Sequence, residues 1–212
     1  MDDLRLKCGA VVESMLFSRL PHVDGFLDFE SPFQLLVAVV LSARCTDIQV
    51  NRVTPALFAV APNARTMADF PLAELEKLIH GVGFFRQKAR ALSALSQILV
   101  NRWDGVVPLT FKDLESLPGV GHKTASVVLG LCTNRPTFPV DTHVYRLSRR
   151  WQLSSGHTPT AVEKDLKQIF PPEKWFPLHQ RMIAYGRTNC TARKCDGTRC
   201  AICKAIRIMT HL

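Results

Sequence analysis

The chain is short of acid: 18 Asp and Glu stand against 27 Lys and Arg in 212 residues, a formal net charge of +9. That balance points to a polyanionic partner, although a basic solvated face would give the same count. Long apolar runs are also missing. The longest, Leu35 to Leu41, suits a buried core and is far too short to span a bilayer, so no membrane is expected. The opening Met1-Asp2-Asp3 has neither the basic nor the apolar region of a signal peptide. The expected residence is therefore the bacterial cytosol and nucleoid, or the nucleus in a eukaryote. Nothing alternates with period two, which excludes a convincing strand and leaves an all-α reading. What is present is an ordinary globular composition, 47% hydrophobic and 21% charged, in a chain long enough for one large or two small domains.

The basic excess is unevenly spread. Residues 1–140 hold 14 Lys and Arg against 13 Asp and Glu, and residues 141–212 hold 13 against 5, so +8 of the net charge lies in the last third. The cysteines are uneven too. Cys8, Cys45 and Cys132 sit among apolar neighbours as small core residues, whereas Cys190, Cys195, Cys200 and Cys203 fall within fourteen residues. Four thiols so close in a cytosolic chain point to metal rather than to disulfides.

In chain order, residues 2–20 read as an amphipathic helix with Leu4, Cys8, Val11, Val12, Met15 and Leu16 on one stripe. Ser31-Pro32-Phe33-Gln34 reads as a capping box opening a helix that is apolar nearly all round. After the polar break at Ser42-Ala43-Arg44, Thr46 or Asp47 caps a helix to about Leu57, which Pro55 kinks or ends sooner. Pro71 opens a helix with Leu72, Leu75, Leu78 and Ile79 inward. Gly81-Val82-Gly83 separates it from a helix over about 86–103. Thr160 to Glu163 reads as another capping box, Pro171-Pro172 ends that helix, and a last long helix runs from about Pro177 to Tyr185.

Between these lies the most informative stretch, Thr110 to Asp141. Thr110 and Asp113 mark a helix start, Leu114 and Leu117 share its apolar face, and Pro118-Gly119 must stop it. A second helix begins near His122, and its body from Thr124 to Cys132 is apolar or small enough to be buried. The glycine-bearing turn between them offers backbone amides at a positive helix end, which suits a phosphate. Lys123 sits in the first helical turn, where the helix field opposes a charged ammonium and favours a nucleophilic neutral amine; a solvated surface charge is the plainer reading. Asp141 is well placed to cap the helix from Thr142 to Trp151, and a carboxylate fixed in that way is also a rigid one. Gly81-Val82-Gly83 echoes Gly119-Val120-Gly121 as a degenerate second hairpin, or as a coincidence of glycine caps.

The residues LPGVGHKTASVVL followed by VDTHVYR resemble the helix-hairpin-helix element of the endonuclease III family of DNA glycosylases. The resemblance spans nearly the whole chain. It implies two helical lobes with a cleft between them: 24–135 as a middle domain bearing the hairpin, and 1–23 plus 136–212 as a second domain ending in the cysteine loop. It implies a monomeric base-excision-repair enzyme acting on double-stranded DNA with damaged pyrimidines or abasic sites, both N-glycosylase and abasic-site lyase. Lys123 would form the covalent intermediate and Asp141 would assist it. DNA would be contacted by Gly119, Val120, Gly121 and His122 of the hairpin, His143 and Arg146 of VDTHVYR, and Arg193 and Lys194 of the basic cysteine loop. Arg44 occupies a position where the family typically has a glutamine that fills the gap left by an extruded base. Phe84 matches an apolar wedge, with burial in the core as its other reading.

For the four cysteines the family implies a [4Fe-4S] cluster with spacing C-x6-C-x2-C-x5-C. This chain has Cys190-x4-Cys195-x4-Cys200-x2-Cys203, with no cysteine after Cys203, so either Cys195 substitutes for the family's last ligand or the cluster is altered or lost. A soft four-thiolate set suits iron-sulfur or zinc, and unmetallated thiols complete the range. Two rivals to the lyase reading are a monofunctional adenine glycosylase, which lacks the hairpin lysine, and a non-catalytic DNA-binding hairpin module.

Overall fold

The computed structural model describes residues 3–133, 135–193 and 195–210, and among these the chain forms twelve α-helices and no strand. It divides into two compact units, Gly25–Arg135 and Met1–Asp24 together with Pro136–Leu212. Helix α1 (Asp3–Arg19) belongs to the second of these, the terminal unit. The middle unit holds α2 (Pro32–Ser42), α3 (Asp47–Val60), α4 (Ala64–Asp69), α5 (Leu72–Leu78), α6 (Phe85–Trp103), α7 (Phe111–Glu115) and α8 (His122–Cys132). The terminal unit is completed by α9 (Thr142–Arg150), α10 (Pro159–Ile169), α11 (Pro172–Thr188) and α12 (Ala201–Thr210). No described helix is long and apolar enough to cross a membrane.

The middle unit is built around α2. Every residue from Phe33 to Leu41 is buried, because α3, α6 and α8 all pack on this one helix. Burying each of its leucines and valines stabilises the unit by about 1.5–3 kcal/mol relative to exposure. Ser31 caps α2 by accepting from the Gln34 amide at 3.2 Å, but the box closes one residue earlier than expected: Gln34 Oε1 accepts from the amide of Glu30 at 2.8 Å. Helix α3, capped by Thr46, continues through Pro55 to Val60. Buried Val50, Val53 and Leu57 hold both sides of the proline, so packing outweighs the missing amide. In α5 only Leu75 is fully buried, and Leu72 is 39% exposed rather than inward.

In the terminal unit α1 buries Cys8, Val12 and Leu16, a narrower stripe than the periodicity suggests. Trp151 and Tyr185 are both fully buried and meet edge to face at 5.8 Å. His179 is buried with Nδ1 2.7 Å from the carbonyl oxygen of Pro139; since a carbonyl only accepts, Nδ1 carries the proton. Two boundaries differ from expectation. Thr158, not Thr160, caps α10, because Pro159 is pre-set for the first helical position and Thr158 Oγ1 accepts from the Ala161 amide at 3.2 Å; Glu163 lies further in and pairs with Lys167. Helix α11 starts at Pro172 rather than near Pro177 and passes through Gly186 to Thr188. Gly186 is internal because α9 lies against it: a Cβ there would come within 3.1 Å of both His143 Nδ1 and Leu147 Cδ1 and 3.3 Å of an Arg146 nitrogen.

Candidate functional site

The hairpin follows from its apolar anchors. Leu114, Leu117 and Val120 are buried and hold the α7–α8 turn against the middle unit's core. Gly119 has φ +79°, a left-handed conformation that a side chain rarely adopts, and a Cβ would press on Ala91 Cβ at 3.2 Å. The Val120 amide donates to Leu117 O at 3.1 Å and its side chain is buried, so Val120 anchors the turn. Gly121 is the N-cap of α8, exposed, in extended backbone with nothing within 4 Å of where its Cβ would be; among the described residues no side chain caps this helix. His122 stacks on Phe111 at 5.0 Å, and its Nδ1 lies 2.7 Å from Glu115 Oε1. Lys123 is exposed in the first turn, not buried. The body of α8 is buried from Ala125 to Leu129, but Leu131 is 41% exposed. An open positive helix end with an exposed amine beside it can bind an anion and present a nucleophile to what the anion is attached to.

Arg44 and Phe84 come together in the same unit. Both have left-handed backbone, φ 53° and 59°, and the Arg44 guanidinium lies 5.6 Å from the centre of the Phe84 ring. Phe84 is 58% exposed, so it is not a core residue. Both line a cavity of about 650 Å³ whose wall includes Pro118 and Gly119 of the hairpin. The 81–83 turn shares one feature with the hairpin: Val82 is buried and its amide donates to Ile79 O at 2.9 Å, as Val120 does to Leu117. It differs in placing its left-handed residue at the N-cap of the next helix.

In the terminal unit Asp141 caps α9, its Oδ1 accepting from the Val144 amide at 2.8 Å. Burial pulls the His143 imidazole below the ordinary histidine range, against the opposing charge of Asp141. Its Nδ1 lies 3.3 Å from an Arg146 nitrogen that can only donate, a contact in which a neutral ring would accept. The Arg146 guanidinium is already engaged within the unit: it donates to Cys190 O at 3.0 Å and Gly186 O at 3.1 Å. Arg150, one turn on, donates to Cys190 Sγ at 3.2 Å and Thr191 O at 3.1 Å. The helix that begins at Asp141 thus ends by gripping the cysteine loop.

The four sulfurs of Cys190, Cys195, Cys200 and Cys203 all lie within 4.8 Å of one another, with Cys190 3.5 Å from Cys195 and 3.6 Å from Cys203. The Cys203 thiol, followed by the Arg150 guanidinium, holds Cys190 down at about 5, while burial pushes Cys200 up. Four soft donors converging on one point, three of them buried, fit a metal centre, with the Cys195 thiol in place as the fourth donor. Arg193 is exposed beside them, and Lys194 lies outside the described residues. Sequence reasoning missed Arg150, whose place four residues after Arg146 on α9 was the available signal, and buried Lys88, a polar residue on the Leu92, Leu95, Leu99 face of α6.

Comparison with known proteins agrees with this arrangement. Residues 37–172 match the HhH-GPD superfamily base excision DNA repair protein family. The chain is 44% identical over 178 residues to endonuclease III of Synechocystis sp., covering 82% of this chain and 80% of that one. It is 39% identical over 183 residues to endonuclease III of Escherichia coli, covering 86% and 85%. Among solved structures, a non-covalent endonuclease III–DNA complex superposes with a TM-score of 0.90 at 36% identity over 100% of this chain and 98% of that one. A trapped endonuclease III–DNA covalent intermediate superposes with a TM-score of 0.88 at 36% identity, covering 98% and 100%. With its hairpin, its aspartate-capped helix and its four-cysteine loop, the chain belongs to the endonuclease III family of base excision DNA repair proteins within the HhH-GPD superfamily.

Proposed function

We propose that this DNA glycosylase and abasic-site lyase removes oxidised pyrimidines from duplex DNA as a monomer, with Lys123 as nucleophile and Asp141 as its acidic partner. The observation that carries the reading is Lys123 standing exposed in the first turn of α8, beside a helix end that no described side chain caps. A phosphate flanking the lesion would sit on that end while the damaged nucleotide is turned out of the stack. The amine attacks C1′, and the glycosidic bond breaks with its electron pair leaving on the base, which takes up a proton. The Asp141 carboxylate stabilises the positive charge that develops on the sugar. Loss of the amine proton opens the ring to a Schiff base, which acidifies the C2′ proton. Removal of that proton expels the 3′ phosphate, and hydrolysis of the imine frees Lys123.

The four thiols would hold a [4Fe-4S] cluster with Cys195 as substitute ligand, zinc being the alternative that metal analysis distinguishes. Such a centre, held by Cys190, Cys195, Cys200 and Cys203, would supply structural cross-linking of the basic loop. The site of action is wherever the chain meets DNA, the bacterial cytosol or a nucleus.

Borohydride reduction of the protein on an abasic-site duplex tests the mechanism. The expected result is a covalent adduct that Lys123→Ala abolishes while duplex binding stays within about threefold, since a phosphate seat made of backbone amides does not need the amine. Undiminished nicking by Lys123→Ala would refute the assignment.

A further inference from the structure

Lys88 is only 7% exposed on the core side of α6, and burial pushes its ammonium below the ordinary lysine range. A buried charge is costly unless hydrogen-bonded. Its Nζ donates to Leu41 O at 2.8 Å and Ala43 O at 2.5 Å. Those carbonyls lie at the C-terminal end of α2, where backbone acceptors lack intrahelical partners and a cation is favoured. Neighbouring acceptors are satisfied locally: Val39 O by Ser42 Oγ at 2.9 Å, Val40 O by the Ala43 amide at 3.4 Å, and Ser42 O by the Cys45 amide at 3.0 Å. Lys88 supplies the donors at Leu41 and Ala43.

The next residue is Arg44, which leaves the helix at φ 53°, a conformation that persists in a non-glycine residue only when its surroundings impose it. One turn before Lys88 on α6 stands Phe84, also left-handed, whose carbonyl accepts from the Lys88 amide at 3.1 Å. The Lys88 amine therefore fixes the backbone on the Arg44 side, its main chain makes the first-turn helix bond to Phe84 O, and the Arg44 guanidinium in turn packs on the Phe84 ring. We propose that Lys88 is a positioning residue that holds Arg44 and Phe84 as one preformed blade on the rim of the cavity beside Pro118 and Gly119. Its purpose rests on the DNA repair reading, since a cation stacked on an exposed aromatic is suited to entering a base step. A blade already formed in the free protein avoids the ordering cost that two loose side chains would meet at each encounter.

Two measurements test this. The first is hydrogen exchange on the intact protein without DNA. Lys88→Met keeps the stem and the main-chain amide and removes the ammonium donors; it should raise exchange roughly tenfold or more in 41–46, and in 83–86 through the Arg44–Phe84 contact, while α4 and α9 keep their protection. Lys88→Gln, with an amide donor at shorter reach, serves if the methionine variant fails to fold, and should show the same pattern. Unchanged exchange in those segments, or a uniform rise throughout the middle unit, would overturn the proposal. The second is a double-mutant cycle on single-turnover base excision. Lys88→Met should lose roughly tenfold in the wild-type background and nothing further when Arg44 and Phe84 are both alanine. Full multiplication of the two losses would overturn it, because a merely structural lysine would act independently of the blade. A wild-type protein that neither excises nor is trapped would refute the repair reading, while the exchange experiment would still judge the clamp.

Discussion

Replacing Gly186 by alanine sets two effects of opposite sign against each other. Glycine inside a helix costs about 0.5–1 kcal/mol relative to alanine, so in an isolated α11 the change would stabilise. In the folded chain the new methyl would meet His143 Nδ1 and Leu147 Cδ1 at 3.1 Å and an Arg146 nitrogen at 3.3 Å, all on α9 or pinned to it. Three neighbours must each give by a few tenths of an ångström, and Arg146 is tied to Gly186 O and Cys190 O, so it cannot simply swing away. Overpacking of this kind costs about 1–3 kcal/mol, which exceeds the helical gain and leaves a net loss near 1 kcal/mol. For a chain of this size that is a fall of about 2–4 °C in melting temperature. Thermal unfolding of the purified full-length chain, followed by circular dichroism, measures it directly. A rise in melting temperature would show that the α9–α11 contact relaxes without cost and would refute the argument.

Other expectations follow from the same contacts. Because burial holds the folded His143 below its unfolded value of about 6.5, the unfolded chain binds the proton first. Stability attributable to this group is complete above about pH 6.5 and is lost as the pH falls through the lower folded value; His143→Asn should flatten that part of the melting temperature profile, and an unchanged slope would refute it. Cys195→Ser should weaken metal binding by more than about 100-fold, since changes in groups that only orient ligands already cost 10- to 100-fold. Full metal content in the purified variant would show that Cys195 is not a ligand.

Legibility in the sequence tracked how local the determining physics was. Helix α2 and the α7–α8 hairpin could be read because an unbroken apolar run, a serine followed by proline, and a Pro-Gly stop each act within a few residues. Helix α4 was missed. It has six residues, and Asn63 and Thr66 close its capping box where glutamate or glutamine is the usual sign. Helix α12 was hidden because Cys203 was read as a ligand, while it also lies with Ile202 and Ile206 on the buried face that packs against α1. The extent of α11 could not be read at all: a glycine and an internal proline argue for breaks, and only the approach of α9 keeps Gly186 helical. At the site, the hairpin lysine and the capping aspartate carry motif signals, whereas Lys88, Arg146 and Arg150 take their partners from 40 or more residues away.

The terminal unit is assembled from both ends of the chain, with the middle unit inserted after α1. During synthesis the first helix is therefore made more than a hundred residues before the helices that cover Cys8, Val12 and Leu16. The middle unit can close in the interval, since its core is drawn from one continuous stretch. The opening helix must wait with its apolar stripe uncovered, so loss of the final helices would leave a nascent product with a finished centre and a sticky leading end.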